Sequence, residues 1–225
     1  MKQTIKDCNF CAAITRNICE RPKMKHIIAN GPHYIYQADI WEIDKEISEK
    51  IQYKYILDIK DSFSKWLWSY PLLNKEGSTV LRYIKNYFLS FGKPEIIQTD
   101  NGLEFNNQIS KIYYENINVK HINSSPRYPE SNGQIGSQHK TVQKAIKIDL
   151  ESKKNDFNIH DCINNCLENY NYNIVHTSTG YIPFQLKDVT DVELINKVNN
   201  KIILLTSLEE GFFLIPSKCI LKGLI

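Results

Sequence analysis

No stretch of the 225 residues runs to about 18 consecutive apolar positions, so no membrane-spanning helix is expected. Met1 to Asp7 carry no apolar leader, and no signal peptide is read there. Cysteine is sparse. Six are scattered at positions 8, 11, 19, 162, 166 and 219, too thinly for a small disulfide scaffold, and reduced thiols inside a cell are expected. Neither sign of charge dominates: the formal net charge is +3. A surface that binds a polyanion must therefore be local rather than global. No internal repeat and no low-complexity segment is present.

What the chain does have is apolar content, 42 %, enough for a sizeable core. Tyr34 to Ile43 reads as a strand after the punctuation of Gly31 and Pro32. Tyr53 to Ile59 and Trp66 to Leu72 read as two more, joined as an antiparallel hairpin through Asp61, Ser62 and Ser64. The period then changes. Val80, Leu81, Ile84, Tyr87, Phe88 and Phe91 recur at helical spacing, and Gly92 and Pro94 end that helix. Short strands at Glu95–Gln98 and Val119–Ile122 flank a helix at Phe105–Tyr114. Asn123 to Gly133 is rich in Pro, Ser, Asn and Gly and reads as a loop. Helices follow at Gln134–Ser152 and Phe157–Tyr172. A meander of strands followed by alternating strands and helices predicts an α/β fold with a five-stranded mixed sheet flanked by helices, three of its strands antiparallel.

Three segments stand out chemically. Asp39 sits mid-strand in Tyr36-Gln-Ala-Asp-Ile-Trp41, where an acid is costly to bury unless it is paired or binds a cation. Gln98-Thr-Asp-Asn-Gly-Leu-Glu-Phe105 puts Asp100 just past a short strand, at a tight Asn-Gly turn. Ser125-Pro-Arg-Tyr-Pro-Glu-Ser-Asn-Gly-Gln134 leads into the long helix.

These segments resemble the catalytic core of retroviral and gypsy-type LTR retrotransposon integrases. Thr99 to Phe105 matches the family's T-D-N-G-x-E-F motif without a break, and Pro126 to Ile135 matches its P-x-x-P-Q-S-N-G motif with Glu130 in place of Gln. Asp58 to Trp66 resembles the family's D-x-F-S-K-W turn, and Tyr172 to Phe184 resembles its downstream Tyr-Asn, His, Gly, Pro-Phe segment. The resemblance spans about residues 30 to 187, and four ordered motifs make it specific. It implies a ribonuclease H-like fold, DNA integration by phosphoryl transfer, DNA as partner and self-association. It also implies Mg²⁺ or Mn²⁺, because hard cations prefer oxygen ligands. A DNA substrate implies a nuclear location in a host that has a nucleus, and a cytoplasmic one otherwise.

The resemblance assigns the first two metal-binding carboxylates to Asp39 and Asp100. The family's third acid, a glutamate, falls at Gly136, which has no side-chain oxygen. Ser137, Gln138 and His139 stand where the family usually has Arg, Phe and Asn. Glu130 is a poor substitute, because it precedes the expected helix and lies six residues early. The expectation is an integrase-like domain whose catalysis is impaired. The alternative is a non-catalytic DNA-binding or oligomerisation module, decayed or recruited by a host.

Lys140, Lys144 and Lys147 line one side of the long helix, either as a solvated face or as contacts to DNA phosphates. Asn132 and Gly133 are loop formers beside the expected site, with Asn132, Arg127 and Tyr128 as candidate nucleic-acid contacts. His176 is expected to stabilise a local turn, and Cys162 and Cys166 to sit in the core. Cys8 and Cys11 have zinc-ligand spacing but make only half a tetrahedral site. Residues 1–30 are thus read as the remnant of a zinc-binding module and linker, without zinc. Residues 31–187 are read as the catalytic core. Residues 188–225 are read as an extension of uncertain fold, with strands conceivable at Lys201–Thr206 and Gly211–Ile215.

Overall fold

Strand β1 (Ile35–Glu42) is the middle of the sheet and dictates the rest. Its sequence alternates between two buried faces, so both must be covered. Strand β2 (Tyr55–Asp61) pairs with it antiparallel and β3 (Leu67–Leu72) pairs with β2 the same way. On the other side β4 (Ile96–Thr99) and β5 (Lys120–Asn123) add in parallel, giving the order β3-β2-β1-β4-β5. This is the expected five-stranded mixed sheet. The computed structural model describes residues 28–124, 129–153 and 156–211, with the backbone alone for 129–138, 140–141 and 206–211.

Helix α1 (Lys45–Ile51) follows β1 and is not among the expected elements, although Ile47 and Ile51 have helical spacing. Helix α2 (Gly77–Phe91) and α3 (Gln108–Asn116) cover one face of the sheet. There Val80, Ile84 and Tyr87 of α2 pack on Tyr36, Ala38, Leu57, Ile59 and Ile97. Each such large apolar side chain contributes roughly 1.5–3 kcal/mol by leaving water. Gly92 ends α2 at a φ of 91°, a backbone that a side chain would strain. Helix α3 starts three residues later than expected, because the Asn107 side chain accepts from Ser110 N–H at 2.9 Å and caps it.

Helix α4 (Pro129–Lys153) and α5 (Ile159–Tyr172) cover the other face. Val142 and Ile146 of α4 meet Ile159, Cys162, Ile163 and Leu167 of α5 over Trp41, Ile56 and Leu67. Cys162 is buried there and Cys166 packs against the same cluster, as expected. Asn171 of α5 both accepts from Leu67 N–H (3.0 Å) and donates to Leu67 C=O (2.8 Å), satisfying that residue's backbone at the start of edge strand β3. A third cluster joins Ile35 and Phe63 to Leu186 of the short α6 (Pro183–Leu186) and Val198 of α7 (Val192–Gly211). No described helix is long and apolar enough to cross a membrane.

Two expectations are corrected. The loop expected over Asn123–Gly133 stops short: α4 already begins at Pro129, taking in Glu130, Asn132 and Gly133. Proline fits the first helical turn, where its missing N–H has no partner to lose. The strand suggested at Lys201–Thr206 is helix, because Leu194, Val198 and Ile202 share the side of α7 that packs on the third cluster. Cys8, Cys11, Cys19, Arg127, Tyr128 and the rest of the suggested strand at 212–215 lie outside the described residues.

Candidate active site

The site is set by strand register. β1 and β4 pair through Gln37↔Gln98, where Gln37 Nε2 donates to Gln98 Oε1 at 3.3 Å. Gln98 Nε2 donates in turn to Ser124 Oγ at 3.0 Å, so both glutamines lie on one face. Strand side chains alternate, and the next residues on that face are Asp39 and Asp100. Beyond this pair the two parallel strands diverge. The strand order reverses between them, and open α/β sheets place their ligands at the carboxyl ends of the strands at such a point.

Asp100 is held by its turn: Oδ1 accepts from Gly102 N–H at 2.9 Å. A Cβ on Gly102 would sit 2.6 Å from the Glu104 carboxylate and 3.0 Å from Asp100 Oδ1, so a side chain there would have to displace Glu104. Glu104 meets Lys75 at 3.8 Å. Asp39 Oδ1 accepts from Ile40 N–H at 3.0 Å, which leaves Oδ2 turned toward α4. Burial pushes the Asp39 carboxyl up to about 6, and Asp100 and then Glu104 push the same way. Both acids thus lie close enough to Asp39 to disfavour its charge.

Asp58 lies opposite Asp39 on β2 and is fully buried. Its Oδ1 accepts from Ser69 Oγ at 2.5 Å and its Oδ2 from Trp41 Nε1 at 2.9 Å. Burial raises it to about 7, against the pull of those two hydrogen bonds. Its neighbour on the same face, Lys60, is buried too and pushed well down by burial. Asp58 takes up its proton more readily folded than unfolded. Its contribution to stability is therefore full below the ordinary carboxylate range and is lost as pH rises through about 7. Relative to wild type, Asp58→Asn should gain stability from pH 4 to pH 8 on the order of 2–4 kcal/mol. Urea denaturation at the two pH values checks this; a constant difference would contradict it.

Helix α4 places His139 over this floor. Its ring stacks on Trp41, 5.2 Å between centroids at 23°. Nε2 lies 3.3 Å from Asp58 Oδ2 and 3.7 Å from Asp39 Oδ2. The nitrogen is buried and off the line of a hydrogen bond to either. Burial pushes His139 down to about 4, so these contacts are not ion pairs at neutral pH.

Of the residues expected from the sequence, Asp39 and Asp100 come together. Gly136 lies in α4, one turn before His139 and on the same side of the helix, and brings no acid. Glu130 is in the first turn of α4 rather than in a loop. Lys144 and Lys147 are exposed, away from the buried Val142 and Ile146. Lys140 and Asn132 lie in α4, and their side chains fall outside the described residues. His176 does hold a turn: its C=O accepts from Gly180 N–H at 2.6 Å, and its N–H donates to Tyr181 C=O at 3.0 Å. Sequence reasoning missed Asp58, Glu104 and the placing of His139. Asp58 carried the same signal as Asp39, an acid inside an apolar strand.

The donor chemistry fits one divalent cation. Asp100 raises the proton affinity of Asp39, an effect that a cation bound beside them would reverse. No three His, Cys, Asp or Glu side chains among the described residues already form a metal-holding group.

Residues 29–129 match the family profile of the integrase core domain. The Pol polyprotein of feline endogenous virus ECE1 is 26 % identical over 159 residues, which cover 70 % of this chain and 15 % of that protein. The Gag-Pol polyprotein of avian reticuloendotheliosis virus is 31 % identical over 116 residues, covering 50 % of the chain and 10 % of that protein. The chain thus spans only a small part of these relatives. Among solved structures, the HTLV-2 integrase catalytic core domain in complex with magnesium aligns with a TM-score of 0.58 at 20 % identity. That alignment covers 70 % of this chain and 97 % of that one. The integrase of a simian T-cell lymphotropic virus intasome in complex with the PP2A regulatory subunit B56 gamma aligns at 0.65 and 18 % identity, covering 82 % and 64 %. These two likenesses concern the fold. In sequence over residues 29–129, and in fold, the chain is similar to integrase core domains of the retroviral type.

Proposed function

We propose that residues 31–187 form an integrase-like DNA-processing core of a mobile element, with Asp39 and Asp100 as its cation-binding acids and its phosphoryl transfer impaired by Gly136. The observation that carries this reading is the register of β1 and β4, which brings those two acids to one crevice at the ends of adjacent parallel strands. Asp39 Oδ2 and the free oxygen of Asp100 would hold a divalent cation, Mg²⁺ or Mn²⁺, as the HTLV-2 core holds magnesium. Such a cation supplies Lewis-acid polarisation of a phosphodiester. The chain's own residues do the rest. The Asp100–Gly102 turn fixes one acid, the Ile40 N–H fixes the other, and the His139–Trp41 stack keeps water from the floor.

DNA would lie along α4, where Lys144 and Lys147 are exposed beside Lys140, with Asn132 nearer the helix start. Exchanging Lys144 and Lys147 together for Glu should weaken DNA binding whatever its sequence. It should also flatten the plot of log K against log salt by about 0.9 for each phosphate that is no longer neutralised. Fluorescence anisotropy from low to physiological salt measures this; an unchanged slope would refute the phosphate role. Self-association is proposed on the likeness to cores solved in trimeric and dimeric forms. Residues 1–30 are proposed as the remnant of a zinc-binding module, and residues 188–225 as an extension that begins with α7.

A second reading is favoured by Gly136 itself: a module that binds DNA or its own copies without joining strands. An intact reverse transcriptase frame beside the coding sequence would favour the enzyme lineage. An isolated frame would favour decay or recruitment.

A further inference from the structure

The geometry points to His139 as a nitrogen donor to the cation held by Asp39, making the site select a first-row ion such as Mn²⁺ over Mg²⁺. The inference rests on the proposed acid pair and goes beyond it, since carboxylates alone would favour no nitrogen-accepting ion. Three observations support it. His139 Nε2 is buried without a hydrogen-bond partner, in a pocket floored by two carboxylates. Trp41 Nε1–H satisfies Asp58 Oδ2, whereas nothing satisfies His139 Nε2, and a cation shared with Asp39 would do so. Secondly, the distances suit shared coordination. Nitrogen and oxygen each about 2.1 Å from one ion stand roughly 3.0–3.4 Å apart. Nε2 lies 3.7 Å from Asp39 Oδ2, and that side chain is held by one bond to its own neighbour, Ile40, so a small rotation closes the gap. Thirdly, the ring is held in place by its stack with Trp41, whose Nε1–H occupies Asp58 Oδ2 and keeps that carboxylate as a support rather than a competitor.

Imidazole nitrogen suits first-row transition ions and is foreign to Mg²⁺, which keeps oxygen and water. The site would thus have exchanged the family's third acid at position 136 for a neutral donor one helical turn on.

The test is Mn²⁺ binding followed by electron paramagnetic resonance, with Mg²⁺ as competitor, on the full chain. The variants are His139→Phe, which keeps the stack on Trp41, and Asp100→Asn. Wild type should show nitrogen modulation in the spin-echo of bound Mn²⁺. His139→Phe should lose it, with Mn²⁺ binding roughly ten- to a hundredfold weaker and Mg²⁺ binding unchanged. Asp100→Asn should weaken both ions. Bound Mn²⁺ without nitrogen modulation, or an unchanged Mn²⁺/Mg²⁺ ratio in His139→Phe, would overturn the role of His139 and leave the acid pair standing. No binding of either ion to wild type would overturn the acid pair itself and this inference with it.

Discussion

Gly136→Glu is expected to raise DNA strand joining well above the wild-type level in an assay with Mn²⁺ and a donor DNA end. Position 136 lies in α4, on the side of the helix that carries His139 over Asp39. An acid there would add the carboxylate that the crevice lacks. A cation's stabilisation of developing charge is worth several kcal/mol, so completing its ligand set should raise the rate on the order of 10²–10⁴-fold. The same change should steady α4 by roughly 0.5–1 kcal/mol, because glycine is a poor helix former. That second effect, read by thermal denaturation without metal, separates a folded but inactive variant from a misfolded one. Robust joining by the wild-type chain would contradict the assigned defect.

Trp41→Ala carries the largest expected loss of stability. Trp41 is nearly buried in the cluster under α4 and α5, stacks on His139, and donates from Nε1 to the fully buried Asp58. Truncating a core tryptophan costs about 3–5 kcal/mol. For a chain of this size that is about 2–4 °C in Tm for each kcal/mol, so a fall of about 6–20 °C is expected. Trp41→Phe keeps the ring and most of the volume and leaves Asp58 one donor short, a smaller cost of about 1–3 kcal/mol. Calorimetry on both variants orders the effects. A loss under about 1 kcal/mol for Trp41→Ala would mean that α4 is not anchored through this residue.

Much of the sheet is legible because its strands alternate and its turns carry Gly, Pro and Asn. Asp39 and Asp100 are legible because an acid in an apolar strand and an acid before Asn-Gly are each costly or specific, and both fall in family motifs. Other features are hidden for physical reasons. Asp58 carries the same signal as Asp39, yet only the pairing of β1 with β2 sets it opposite that residue and beneath Trp41. The start of α4 is concealed because Pro129, Asn132 and Gly133 have turn chemistry, whereas packing of Val142 and Ile146 further along sustains the helix. In α7 the run Ile202 to Leu205 fits strand or helix equally by composition. The spacing of Leu194, Val198 and Ile202 against Leu186 decides it. His139 could not be found from its own position, because its meaning lies in Asp39 and Asp58, far upstream on the sheet.

The most direct measurement is a crystal of the chain soaked in Mn²⁺, with diffraction recorded at the manganese edge. An anomalous peak within coordination distance of both the Asp39 and Asp100 carboxylates is predicted. Those two side chains directed apart, with no peak between them, would contradict the site.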